Sequence, residues 1–195
     1  MSYFTTKDNT RIYYKDWGSG STVILIHGWP LSSDSWEDQA IALVNAGHRV
    51  IAYDRRGFGR SSQPWHGYDY NTLADDLAAL INHTAVNDVA LVGFSMGGGE
   101  VARYIGRHGE SRLHSVVFAA AVPPYLLRGE DNPEGPLTQD KADEMRSGLE
   151  KDREAFFDGF LAVGEGPDHP HGVARFEQVE ELDHGSVVLG THADS

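Results

Sequence analysis

Apolar runs and amphipathic segments alternate along most of the chain. The run Val23-Ile24-Leu25-Ile26 is continuously apolar, which is typical of a strand buried on both faces of a sheet. Similar runs predict strands over residues 49–54, 89–92 and 113–119. Between them, apolar residues recur every three or four positions, which predicts helices over residues 34–47, 71–81 and 97–108. This alternation favours an α/β fold with a mostly parallel sheet covered by helices on both faces.

The first 17 residues follow a different pattern. Residues 3–5 and 11–17 are rich in β-forming side chains and flank a turn-like segment, which predicts an antiparallel hairpin. Polar residues and glycines mark the expected ends of the helices. Asp34-Ser35-Trp36-Glu37 resembles a capping box, Asn71 is a candidate N-cap, and Gly109 follows the third helix.

The character of the chain changes after Pro123-Pro124. Residues 129–136 have the composition of a loop, and periodic apolar residues over 138–161 predict one long helix. The last 32 residues hold seven acids, one base and four of the ten histidines, and only residues 187–189 resemble a strand there. We therefore expect a core over residues 1–124, a helical segment over 125–161 and an atypical acidic tail over 162–195.

Composition excludes several classes of partner and site. The 195 residues carry a net charge of −13, which argues against a nucleic-acid partner because phosphate binding needs clustered Lys and Arg. The absence of cysteine excludes disulfides, thiolate zinc sites and a cysteine nucleophile. No apolar run approaches the roughly 18 residues of a membrane span, and the first eight residues contain no apolar signal region. We therefore expect a cytoplasmic enzyme or binding domain with no membrane association.

The strongest chemical signal is Gly93-Phe94-Ser95-Met96-Gly97, a G-x-S-x-G pentapeptide. An apolar strand precedes it and a helical segment follows it, which is the setting of a nucleophile elbow. The small glycines let strand and helix approach closely, and the turn presents the hydroxyl of Ser95 beside a helix N-terminus. The alternative is an ordinary glycine-rich β–α turn.

Two backbone N–H groups are expected to form an oxyanion hole beside that serine. One belongs to Met96, the residue after the nucleophile, and the other to Trp29, in the loop after the strand at 23–26. Pro30 has no N–H and cannot serve. His27 is interpreted as a structural histidine packed behind the loop, because a catalytic base would come from a later loop.

The arginine-rich segment Asp54 to Ser61 follows another expected strand. Its three arginines could bind an anion. The favoured alternative is a tight turn held by ion pairs between Asp54 and the arginines, because no phosphate-loop motif is present.

Together these motifs resemble the α/β-hydrolases, and within them the cofactor-free bacterial haloperoxidase, perhydrolase and arylesterase group. The resemblance covers about residues 1–161, and its motifs occur in the order of the family. They are residues 27–31, 53–59, 93–100 and 121–124.

The resemblance implies Ser95 as the nucleophile, with Trp29 and Met96 as the oxyanion donors. It implies acyl transfer through an acyl-serine, without cofactor or metal. Water would release a carboxylic acid from a small ester, and hydrogen peroxide would release a peracid that oxidises halide. The helix at 138–161 would be the lid, and Phe94, Trp29, Phe156, Phe157 and Phe160 are candidate pocket walls, with plain core packing as the alternative.

The acid and base of a catalytic triad are not identifiable by the same resemblance. The family would supply them after two further strands, and the tail beyond residue 161 lacks the family's surrounding residues, as a truncated or altered chain would. His192, after the apolar residues 187–189, is the best superficial match to the base. The alternatives are a catalytically impaired fragment or a ligand-binding protein, and a homo-oligomer could cover an open sheet edge.

A metal site in the tail is the remaining alternative. Asp168, His169 and His171 offer carboxylate and imidazole ligands, but their spacing matches no strong zinc signature. A solvated tail without a metal is favoured.

Overall fold

The computed structural model describes residues 2–121, 126–162 and 186–189. The described residues fall into two compact units. Residues 2–121 together with 186–189 form the first unit, which contains the sheet. Residues 126–162 form the second, which is helical.

A seven-stranded sheet in the order β1-β2-β4-β3-β5-β6-β7 organises the first unit. Strands β1 and β2 form the expected antiparallel hairpin, and β2 is also antiparallel to β4. All other pairs are parallel, as the alternating pattern predicted. The strands are β1 Ser2–Thr5, β2 Arg11–Gly18, β3 Thr22–Ile26, β4 Arg49–Tyr53, β5 Val89–Phe94, β6 Leu113–Ala119 and β7 Ser186–Leu189.

Helices cover both faces of this sheet. A short 3-10 helix, Ser33–Trp36, leads into the first α-helix. The helices that cover the sheet are α1 Glu37–Asn45, α2 Tyr70–His83 and α3 Met96–His108, and the second unit contains α4 Gln139–Lys151 and α5 Arg153–Ala162.

Strict alternation along β3 divides the core into two layers. Ile24 and Ile26 face the layer built with α2 and α3, whereas Val23 and Leu25 face the layer that contains Trp36 and α1. Because successive side chains of a strand point to opposite faces, a continuously apolar strand needs cover on both sides. The doubly covered sheet expected from the sequence is confirmed.

The helix ends differ in detail from the expectation. The residues 34–37 do not form a capping box, because the side chain of Ser32 accepts the hydrogen bond from Asp34 N and α1 begins only at Glu37. Helix α2 is capped by Asp69, whose carboxylate accepts from the N–H groups of Asn71 and Thr72. Asn71 thus lies inside the helix that it was expected to cap.

The second unit also departs from the sequence prediction. In place of one helix over 138–161, α4 and α5 are separated at Asp152, whose backbone is extended (φ −156°, ψ 97°). Thr138 caps α4 by accepting from Lys141 N. No residue of α4 is fully buried, but the periodic apolar residues Ala142, Met145 and Leu149 are half-buried and mark its less exposed face.

The parallel register brings three strand ends together at one edge of the sheet. Ile26 pairs with Tyr53 on one side and with Gly93 on the other. The loops that follow β3, β4 and β5 therefore start side by side. This edge, at the carboxyl ends of parallel strands, is where α/β folds bind ligands.

Asp54 holds the loop after β4 in place. The side chain is fully buried and accepts hydrogen bonds from two backbone N–H groups, those of Ser33 at 2.8 Å and Arg60 at 2.7 Å. It thus joins the loop after β4 to the segment that leads into α1.

Replacing this carboxylate should destabilise the protein strongly. We expect Asp54→Ala to lower the free energy of unfolding by about 2–4 kcal/mol, because two buried N–H groups lose their acceptor. Urea unfolding would measure the change. Asp75→Ala is the control: Asp75 pairs with Arg107 on the surface with 45% of its side chain exposed, and it should change stability by less than about 1 kcal/mol. Equal losses for the two variants would contradict the assignment.

Candidate active site

Ser95 lies between β5 and α3 in the strand–turn–helix arrangement that the pentapeptide predicted. Its backbone has φ 51° and ψ −117°, a region that non-glycine residues rarely occupy. Its N–H donates to the carbonyl of Ala119 at 3.0 Å, which anchors the turn to the end of β6. The side chain makes no capping hydrogen bond to α3. The local geometry is that of a nucleophile elbow.

Two glycines make this turn possible. A Cβ on Gly97 would clash with the carbonyl oxygen of Ile26, and a Cβ on Gly93 would lie 2.7 Å from the carbonyl oxygen of Gly97 and 2.8 Å from Cα of Gly98. The first turn of α3 therefore packs directly on backbone atoms of β3 and β5. No side chain could be accommodated at either position without displacing the backbone.

The loop after β3 packs against the same turn. A Cβ on Gly28 would lie 3.0 Å from Cβ of Ser95 and 2.9 Å from the ring of Phe94. Trp29 is half-buried and lies in a turn closed by a 3.1 Å hydrogen bond from Leu31 N to the Gly28 carbonyl. The structure thus brings Trp29, Ser95 and Met96 into one region. The role of the Trp29 and Met96 N–H groups as oxyanion donors remains a prediction.

His27 is buried at the end of β3, with both ring nitrogens engaged. Nδ1 lies 2.8 Å from the Gly28 carbonyl, and Nε2 accepts from Arg55 N at 3.1 Å. Burial, and then the nearby Arg55 charge, lower the pKa of His27 from 6.5 to about 4. A neutral ring that is hydrogen-bonded on both sides fits the structural role that the sequence analysis favoured.

The arginines after β4 are all paired, which favours a structural turn over an anion site. Their main partners differ from the expected ones, because the carboxylate of Asp54 makes only a long ion pair with these guanidinium groups, 3.7 Å from Nη1 of Arg60. The carboxylates come from distant parts of the chain: Glu100 for Arg55, Asp76 and Asp8 for Arg56, and Asp34 for Arg60.

Two of the candidate pocket walls, Phe94 and Phe157, belong to different units. Phe94 is half-buried and packs on the apolar layer of α1. Its ring lies edge-on to that of Trp36, with 6.3 Å between the ring centroids. Phe157 lies in α5, edge-on to Phe156 at 5.7 Å, with the guanidinium of Arg153 over its ring. A role of either ring as an acyl-pocket wall stays a prediction.

The candidates in the tail fall outside the described residues: His192 as the base, and Asp168, His169 and His171 as metal ligands. Within residues 2–121, 126–162 and 186–189, no group of three or more His, Asp or Glu stands where it could hold a metal ion. In the same part of the chain, no helix is both long and apolar enough to cross a membrane.

Sequence reasoning missed the role of Glu100. This carboxylate is fully buried, binds Arg55 Nε at 2.6 Å and accepts a hydrogen bond from the hydroxyl of Tyr53. The signal available was its position in α3: Glu100 lies four residues before Tyr104, on the inward face of the helix. A lone acid on an apolar face indicates a buried partner.

Fold and site together define the class of protein. The family model of the α/β-hydrolase fold matches residues 21–184, so the chain belongs to this family. The match extends past residue 161, where the sequence resemblance was expected to end.

Individual relatives are consistent with the expected group. The chain is 48% identical over 167 residues to a non-heme chloroperoxidase of Kitasatospora aureofaciens, covering 84% of this chain and 60% of that one. It is 43% identical over 159 residues to a bifunctional esterase/perhydrolase of Acinetobacter calcoaceticus, covering 80% and 57%.

A solved structure matches over the same extent. The crystal structure of a bromoperoxidase from Bacillus anthracis superposes with a TM-score of 0.76 at 56% identity, covering 82% of this chain and 59% of that one. The chain thus spans about three fifths of the length of the proteins that it matches.

Substituting the elbow glycine should disrupt the site. We expect Gly97→Ala to destabilise the fold by at least about 2 kcal/mol, because the added Cβ meets the rigid backbone of β3. Gly106→Ala is the matched control in the same helix. It has no atom within 4 Å of its added Cβ and should stabilise by about 0.5–1 kcal/mol. Thermal unfolding of both variants measures the difference, and a neutral Gly97→Ala would contradict the close packing.

The buried His27 should make stability depend on pH. Its pKa is lower in the folded state than in the unfolded one, so its contribution is complete above pH 6.5 and is lost as the pH falls towards about 4. Between pH 7 and pH 5 we expect a loss of about 2 kcal/mol, measured by urea unfolding. His27→Gln should lack this component over the same interval. An identical pH dependence in that variant would show that the pKa of His27 does not differ between the folded and the unfolded protein.

Proposed function

We propose that the protein is a serine-dependent acyl-transfer enzyme with Ser95 as its nucleophile. The observation that carries the proposal is the strained turn at Ser95, where φ is 51° and the hydroxyl makes no bond to cap α3. Such strain is retained where the surrounding structure imposes it, commonly at functional sites. The family membership and the esterase and haloperoxidase names of the relatives give independent support.

The proposed reaction begins when Oγ of Ser95 attacks the carbonyl carbon of a small carboxylic ester. The carbonyl oxygen becomes an oxyanion, which the N–H groups of Trp29 and Met96 would bind. The N-terminus of the 13-residue helix α3 adds a favourable electrostatic field for that charge. Collapse of the intermediate breaks the ester bond, releases the alcohol and leaves an acyl-Ser95.

The second half-reaction determines whether the product is a carboxylic acid or a peracid. Water attacking the acyl-Ser95 releases the carboxylic acid, whereas hydrogen peroxide attacking the same carbonyl releases a peracid. Perhydrolysis is proposed beside hydrolysis because one relative carries both activities in its name. Small esters, carboxylic acids and hydrogen peroxide are therefore the proposed reactants.

A base must accept the hydroxyl proton of Ser95 in the first step. His27 is unsuited to this role, because both its ring nitrogens are engaged in the loop. His192 stays the candidate from the sequence. A cytoplasmic location and a homo-oligomer likewise stay predictions.

The reactivity of Ser95 is the direct test. We expect a burst of nitrophenol from nitrophenyl acetate and covalent labelling by a fluorophosphonate, with both lost in Ser95→Ala because the acyl acceptor is removed. Mass spectrometry of the labelled protein would locate the adduct on the peptide that contains Ser95.

The exposed Ser111→Ala variant serves as the control and should keep both signals. Equal labelling of Ser95→Ala and the unchanged protein would contradict the assignment of the nucleophile. Binding of an ester without labelling or burst would instead support the ligand-binding alternative.

A further inference from the structure

Two buried charged groups beside the elbow take no direct part in the proposed acyl transfer. Arg55 follows β4 with 1% of its side chain exposed, and Glu100 in α3 is fully buried. Nε of Arg55 lies 2.6 Å from one carboxylate oxygen of Glu100, and Tyr53 donates its hydroxyl to the other. Burial raises the pKa of Tyr53 well above its ordinary value, so this hydroxyl remains a donor.

Stability alone is a weak reason for such a pair. Removing two charges from water costs free energy that their attraction only partly returns, so apolar side chains of equal volume would often be as stable. What apolar residues cannot supply is a rigid fork of several N–H donors with fixed directions.

The remaining N–H donors of Arg55 contact two segments that flank Ser95. Nη2 donates to the carbonyl of His27 at 2.8 Å, and the backbone N–H of Arg55 donates to Nε2 of the same histidine. On the other side, Nη1 lies 3.7 Å from the sulfur of Met96. His27 is two residues before Trp29, and Met96 directly follows Ser95. One guanidinium thus touches both segments that carry the proposed oxyanion donors.

We propose that Arg55 is a positioning residue for the oxyanion hole. Held by Glu100, its guanidinium fixes the separation between the loop at residues 27–29 and the first turn of α3. The N–H groups of Trp29 and Met96 then converge on one oxygen. The inference rests on the proposed acyl transfer, whose oxyanion is stabilised only by donors that are already in place before the charge develops.

The chain contains a matched comparison in the adjacent residue. Arg56 also has only 1% of its side chain exposed and is paired with two carboxylates, Asp76 at 2.6 Å and Asp8 at 2.8 Å. These partners lie in α2 and in the turn between β1 and β2. Arg56 therefore matches Arg55 in burial and pairing, while its carboxylates belong to other parts of the unit.

Arg55→Lys and Arg56→Lys together test the proposal. Lysine keeps the charge but loses the fork, so both variants should lose comparable stability in urea unfolding. For nitrophenyl acetate hydrolysis, Arg55→Lys should lower kcat about tenfold or more with KM within about twofold, because the loss falls on the transition state. Arg56→Lys should keep kcat within about twofold of the unchanged protein. Equal falls in kcat, or no fall in Arg55→Lys, would overturn the proposal.

A second measurement does not need activity. With ¹⁵N-labelled tryptophan and methionine, the backbone amides of the four Trp and of Met96 and Met145 form a sparse NMR spectrum. Arg55→Lys should shift the amides of Trp29 and Met96, whereas Trp17, Trp65 and Met145 should keep their positions. Arg56→Lys should leave Trp29 and Met96 unshifted, and equal shifts in both variants would refute a specific role for Arg55.

The two measurements separate the proposals. If the unchanged protein shows neither burst nor labelling, the acyl-transfer function fails, and the amide shifts alone decide the positioning role. If Arg55→Lys does not fold, Glu100→Gln replaces it. That variant keeps an acceptor but weakens the bond to Arg55, so it should give the same selective shifts at smaller amplitude, and their absence would overturn the proposal.

Discussion

The contact between the first turn of α3 and the end of β3 is the constraint around which the site is built. Gly97 lies against the carbonyl oxygen of Ile26 with no space for a Cβ, and Gly93 lies equally close to the backbone of α3. This approach forces the chain to turn within one residue. Ser95 therefore adopts the strained backbone conformation. This conformation is maintained by the hydrogen bond from Ser95 N to the Ala119 carbonyl and by the pairing of β3 with β5.

Buried charges extend this constraint to the neighbouring loops. Asp54 binds backbone N–H groups on two segments, and Arg55, with Glu100, joins the loop after β3 to α3. Each carboxylate or guanidinium directs several bonds at once, which an apolar contact cannot do. Loops that would otherwise be free to move become a fixed frame around the serine.

The packing around Ser95 is consequently self-contained. Ser95, Gly28 and Arg55 are held by contacts among residues 26–119, all within the first unit. The central strands β3, β4 and β5 supply every loop involved except the anchor at the end of β6. This part of the α/β-hydrolase pattern does not depend on the second unit, which explains how it can be recognised in a chain that spans about three fifths of its relatives.

The sequence by itself determined the alternating α/β architecture, the hairpin and the elbow, because apolar periodicity and glycine spacing are local properties. It located the helices of the first unit well but misplaced two of their N-caps, since Ser32, Asp69 and neighbouring candidates compete on equal local terms. Only the tertiary structure decided the partners of Arg55, Arg56 and Arg60. Their carboxylates lie from 20 to 48 residues away along the chain, and ion pairs between such distant segments leave no periodic pattern in the sequence.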